Sequence, residues 1–140
     1  MRPFDTLIRL SEQALDEKRK ALAQLQGGLE RARRVRAALD AELVREQEAA
    51  AASVDAGRYY GAYAQTMIAR RRQADRVIKD AEEAVEAARE EVRTAFAELK
   101  RYQITHDARL AAQAAEQSRK DQVALDETAQ ILNRRKGDRL

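Results

Sequence analysis

Cysteine and tryptophan are absent from this chain, proline and histidine occur once each, and aromatic residues make up only 4% of it. Without cysteine there is neither a disulfide framework nor a thiolate metal site. So few aromatics leave too little bulky apolar matter for a compact core in 140 residues. No apolar run approaches the roughly 18 residues of a membrane span. Met1-Arg2-Pro3-Phe4-Asp5 leads into a polar heptad without the apolar block of a secretion signal. The chain is therefore expected in the cytosol. No Gly-rich phosphate loop, Ser/His/Asp set or metal-ligand spacing occurs either. An enzyme is rejected, and no cofactor is expected.

What is present is charge: 36% of residues, 27 basic against 24 acidic, for a net +3. So polar a chain could be disordered. Its apolar residues keep register, which a disordered segment has no reason to do. Over Ala74–Tyr102 they recur as Ala74, Ile78, Ala81, Val85, Ala88, Val92, Ala95, Leu99 and Tyr102, in alternating steps of four and three. Glu82, Glu83, Glu86, Glu90, Glu91 and Arg93 fill the positions between. A 3.5-residue repeat carries a seam wide enough for one more helix and too narrow for a globular core. A strand is excluded, because a period of two would bury Glu82 with Ala88.

A second seam begins after Pro3, which suits a first helical position. It runs Phe4, Ile8, Ser11, Leu15, Lys18, Leu22, Leu25, Leu29, Ala32, Arg36, Leu39, Leu43, with polar lapses at Ser11, Lys18 and Arg36. Gly27-Gly28 lies inside this helix but off the seam and reads as a soft spot or bend, with close approach by a partner as the second reading. Ser53-Val54-Asp55-Ala56-Gly57 is the only cluster of turn and cap residues. One domain is expected, with helix 1 over 3–52, a turn over 53–58 and helix 2 over 58–136, ended by Gly137. Helix 2 would then be a rod about 115 Å long.

A short turn makes the two helices antiparallel neighbours, so facing residues must have numbers of constant sum. A sum of about 110 centres the turn on Asp55 and pairs Leu15 with Ala95, Leu22 with Ala88, Leu29 with Ala81, and Ile8 with Tyr102. Large faces small in most layers. The predicted fold is all-α: a long antiparallel two-helix coiled-coil hairpin with a C-terminal helical overhang. Past His106 helix 2 has no counterpart, and its seam fades through Leu110, Ala114, Gln117 and Asp121. An unpaired helix of about thirty residues is marginal in water, so the overhang docks elsewhere or frays.

Charges agree with this register, since Lys18, Arg19 and Lys20 lie across from Glu90 and Glu91. One band does not balance. Arg31, Arg33, Arg34 and Arg36 fall opposite Arg70, Arg71, Arg72 and Arg76, and local acids offset only part of that. The girdle is a solvated face or a dock for an acidic partner surface. Nucleic acid is the competing partner, and the acidic face Asp80–Glu91 argues against it. Carboxylates such as Glu82, Glu86 and Glu90 sit on an exposed helix face with no pocket to shift their pKa values. His106, at the seam's edge near Phe4, reads as a packing residue rather than a ligand or base. Tyr59, Tyr60 and Tyr63 cluster at the hairpin tip, either as a plug in which Tyr60 and Tyr63 pack against Leu43 and Met67 or as an exposed patch suited to an interface.

Phe4-x-x-Leu7-x-x-Leu10, Tyr60-Gly61-Ala62-Tyr63 and the run Ala115–Ala129, with Glu116, Lys120, Asp121, Gln122, Asp126 and Glu127, together resemble the FliJ proteins of the bacterial flagellar type III export apparatus. The resemblance covers nearly the whole chain. It implies a two-helix rod like the central stalk (γ) subunit of rotary F-type ATP synthases. It implies insertion of the paired termini into the export ATPase hexamer, whose assembly the family promotes. It also implies contact with the cytoplasmic domain of the membrane export gate, binding of export chaperones, and a place at the cytoplasmic face of the inner membrane held only through partners. The gate contact carries over to Leu39, Tyr63 and Met67. Further aromatics of the family on helix 1 are replaced by Glu42 and Glu46, and the turn is shorter. With Tyr60, Arg70 and Arg71 near the tip, and Leu110, Lys120, Asp126 and Glu127 on the overhang, these are the candidate partner-binding residues. An equivalent stalk of a virulence type III system is the near relative, and a self-associating structural coiled coil the bland alternative.

Overall fold

Every described residue but one is helical. The computed structural model describes residues 3–138; Met1, Arg2, Arg139 and Leu140, with the start of the expected leaderless N-terminus and the last residues of the overhang, lie outside the described residues. Helix α1 spans Pro3–Ala52 and helix α2 spans Val54–Asp138, which at 1.5 Å per residue make rods of about 75 and 130 Å. The two pack against each other as a hairpin, and among the described residues there is no strand.

The reversal is tighter than the composition of 53–58 suggests. Ser53 alone is outside a helix, and α2 starts at Val54 instead of 58. Ala49–Ala52, four of the best helix formers, keep α1 regular up to that point. Ser53 then caps α2: its hydroxyl oxygen accepts the Ala56 N–H at 3.0 Å, and its carbonyl accepts the Gly57 N–H at 3.2 Å. Asp55 adds a negative charge to the positive end of the new helix. No glycine has a positive φ, so Gly57 and Gly61 are ordinary helical residues. Gly137 does not end α2 either, since the described helix runs through it to Asp138. A helical glycine costs about 1 kcal/mol relative to alanine, which a rod with Arg135 and Lys136 in its last turn tolerates.

The seams face each other. Residues joined across the interface have numbers adding to 110 for Phe4 and His106, 109 for Lys18 and Glu91, and 111 for Arg36 and Asp75. Arg33 and Glu82 depart from that sum because a long guanidinium side chain reaches along the rod. Leu15, Leu29 and Leu39 of α1 are buried against Met67, Ala74, Val85, Ala88 and Leu99 of α2, and none of the buried residues is polar. Met67, 1% exposed, is the most enclosed; Leu39 and Ala74 pack with it, and Leu43 and Tyr63 close over this cluster. Lys18 and Leu25, though in line with the seam, lie exposed. Each enclosed leucine contributes about 1.5–3 kcal/mol.

Seam pairing ends at His106, and beyond it the Arg109 guanidinium still reaches back to the Phe4 ring. From Asp107 to Asp138 every residue of α2 is exposed. The side-chain bonds there are local to the helix: Arg119 to Glu116 at 2.8 Å, Gln117 to Asp121 at 3.0 Å, Gln122 to Asp126 at 3.2 Å. They support helicity by a few tenths of a kcal/mol each and bring no second helix to it.

Candidate functional site

The candidate residues separate into two groups at opposite ends of the rod. Along α2, Met67 and Leu110 are about 65 Å apart.

At the tip end, tertiary packing sorts them by heptad position. Leu39 and Met67 point into the seam, at 7% and 1% exposure, and hold the helices together. Their side chains are core. Tyr63 is half-buried on that cluster, with its ring 6.3 Å from that of Tyr60 and tilted by 38°. Its hydroxyl is enclosed without a well-aligned hydrogen-bond partner. Burial first, and then the nearby charge of Glu42, push its pKa up. Tyr63 thus plugs the tip end of the cluster with Tyr60 half-buried beside its ring, while Tyr59 is 77% exposed. Val54, at 79%, is the other large apolar group presented at the tip. Tyr59 belongs to the aromatic cluster read from the sequence, whereas Val54 reads there only as a turn residue, although it stands off the seam, which is the signal that marks it.

The arginine girdle is far better compensated than its sequence suggests. Arg36 is gripped by Asp40 at 2.6 Å and Asp75 at 2.7 Å, and Asp40 also holds Arg71 at 3.2 Å. Glu42 approaches Arg70 at 3.7 Å, Glu82 approaches Arg33 at 3.6 Å, and Glu30 approaches Arg34 at 3.5 Å. Arg76 donates to the Gln73 side-chain oxygen Oε1. Asp75 reaches across to Arg36 instead of serving Lys79 one turn along its own helix. The hydrogen bond from Arg36, with the charge of Arg71 behind it, holds the Asp40 carboxyl below the usual carboxylate range. Carboxylates therefore interleave with five of the eight arginines, and the girdle presents mixed charge rather than a continuous cationic strip.

At the other end the two helices part. The Phe4 ring stacks on His106 with centroids 5.8 Å apart and planes 19° from parallel, and the Arg109 guanidinium lies 4.5 Å from the Phe4 centroid. His106 Nε2 is 3.4 Å from an Asp5 carboxylate oxygen. His106 packs here, as its place on the seam suggests. The fork opens into a hollow of about 380 Å³ bounded by Phe4, Leu7, His106, Arg109 and Leu110. Beyond it the overhang displays Leu110 at 38%, Leu125 at 65% and Leu132 at 52% exposure. Lys120, Asp126 and Glu127 are exposed on the same stretch.

Among the described residues no cluster of His, Asp or Glu could hold a metal ion. No described helix is long and apolar enough to cross a membrane.

The family model for the flagellar FliJ protein matches residues 1–138. The chain belongs to the FliJ family. No curated protein and no solved structure matches it significantly. As a FliJ-family member it is a flagellar, export-related protein, and the family is a non-enzymatic component of that apparatus. The candidate residues of this FliJ-family rod lie in two places. Arg70, Arg71, Tyr60 and Tyr63 gather near the tip, and Leu110, Lys120, Asp126 and Glu127 lie along the free helix.

Proposed function

We propose that this FliJ-family protein is the stalk of the flagellar export apparatus. The fork and overhang enter the ring of the hexameric export ATPase and promote its assembly. The tip half meets the cytoplasmic domain of the membrane export gate, through the exposed surroundings of Leu39, Tyr63 and Met67, with Arg70 and Arg71 offering charge. Export chaperones bind the same rod. The protein is cytoplasmic, drawn to the inner face of the membrane by these partners alone.

The observation that carries this reading is the free stretch of α2, 107–138, helical throughout and exposed at every residue, with leucines at 110, 125 and 132. An isolated helix of that length is marginal in water, so a pore wall that covers it would supply the missing contacts. A narrow two-helix rod suits an axle. The test is ATP hydrolysis by the cognate export ATPase with and without the chain. The full chain is expected to stimulate hydrolysis, and a chain lacking Leu110–Leu140 is expected not to, while its hairpin still melts as before. Equal stimulation by both chains would remove the overhang from the mechanism.

A further inference from the structure

Gly27 and Gly28 lie near the middle of α1 and serve no purpose that the geometry of the turn, the seam or the proposed partner surfaces requires. Neither has a positive φ, so any L residue could adopt their conformation. Neither is held small by α2. A Cβ built at Gly27 would meet only the Arg31 Nη1 atom at 3.4 Å, and one at Gly28 only Arg31 Nη2 at 3.7 Å, the mobile end of a side chain on the same helix. Close approach by the second helix, the usual reason for glycine in a packed helix, is therefore not the reason here.

The packing around them is thin as well. On α1 no residue between Leu15 and Leu29 is buried; Leu22 is half-buried and Leu25 is 39% exposed. Facing this interval, α2 contributes the small side chains Val85 and Ala88, both buried, so the thin side of the packing is α1's own. Lys18–Glu91 and Arg33–Glu82 tie the helices together on either side of the interval. Adjacent helical glycines weaken the backbone most where neighbours support it least. On α2 the stretch between Gly61 and Gly137 contains no glycine, so the facing helix is stiff.

We propose that Gly27-Gly28 is a hinge in α1 about which the tip half and the fork half of the hairpin bend relative to each other. A pair of joined rods can bend in the plane of both axes only if one of them changes length. The glycine pair lets α1 do so by opening a turn, while α2 flexes as a continuous spring. The hinge thus selects one bending plane, the one containing both helices.

The test uses the full chain, whose lack of cysteine allows clean labelling. Spin labels at Glu12→Cys and Glu48→Cys, both exposed and on either side of the glycines, report the distance distribution along α1. Hydrogen exchange reports the local backbone. The expected result is fast exchange at the amides around 24–32 relative to α1 on both sides, and a broad distribution. The double variant Gly27→Ala, Gly28→Ala is expected to slow those amides by about tenfold or more and to narrow the distribution. Exchange around the glycines no faster than in flanking turns overturns the hinge. So does a distribution that the alanines leave unchanged, even where exchange slows, because that describes a soft turn about which nothing bends.

Discussion

Residues 3–106 and 107–138 of this chain are built from the same helix-forming vocabulary, yet one half-dozen side chains separate them. In the hairpin, Leu15, Leu29, Leu39, Met67, Val85 and Leu99 are buried. In the overhang Leu110, Leu125 and Leu132 are no less apolar and all lie in solvent. The difference is the presence of a second helix. Helical propensity and local pairs such as Glu116–Arg119 operate in both parts, but only the hairpin adds burial, and burial supplies most of the stability of a helix in a protein.

The strongest way to break the comparison is to empty the hairpin's most enclosed site. Met67→Ala is expected to destabilise the hairpin by about 2–5 kcal/mol, because a cavity opens between Leu39 and Ala74. Leu125→Ala in the overhang should stay within about 0.5 kcal/mol. Urea melts of the two variants, followed by circular dichroism, check both values. Equal losses would mean that the overhang is packed in solution.

A smaller effect is expected at the boundary. Phe4→Ala removes the His106 stack and the Arg109 contact, worth about 1 kcal/mol each at a partly exposed site. Amides of residues 7–12 should exchange faster while the Met67 cluster keeps its protection. Hydrogen exchange by mass spectrometry reads this, and an unchanged N-terminal turn would show that the fork is held by something else.

The smallest effect sharpens the comparison through pH. Asp40 and Glu116 both have pKa values lowered by an arginine, Arg36 and Arg119 respectively. A carboxylate depressed in the folded state stabilises it fully above its ordinary pKa, 3.8 for Asp40, and loses that contribution as pH falls through the depressed value. Asp40 meets α2 directly through Arg71, and its partner within α1, Arg36, crosses to Asp75, whereas Glu116 bonds only within its own helix. Asp40→Asn should therefore lower the hairpin melting temperature at pH 7 and flatten its fall in acid. Glu116→Gln should leave that melting curve where it was. Thermal melts from pH 7 to pH 3 decide it.

Periodicity alone determined much of this molecule. A four-three repeat is legible because burial in a two-helix rod touches the same two positions of every heptad; the α2 seam from Ala74 to Tyr102 is buried or half-buried at each of its nine positions. Register was legible too, because one reversal leaves a single free parameter that seam and charge must both satisfy. The exposed overhang follows from arithmetic, since α1 has no residues left to cover it.

What only the tertiary structure decided depends on side-chain reach and on local caps. Ser53 turns the chain by itself because its hydroxyl and carbonyl satisfy the first N–H groups of α2, which a composition count spreads over six residues. The girdle of Arg31–Arg36 and Arg70–Arg76 becomes a mixed lattice because Asp75, Glu42 and Glu82 extend across the interface. Leu39 and Met67, candidates for a partner by family resemblance, turn out to hold the hairpin shut, since whether an apolar side chain meets another helix or another protein is settled by which neighbour arrives first in three dimensions.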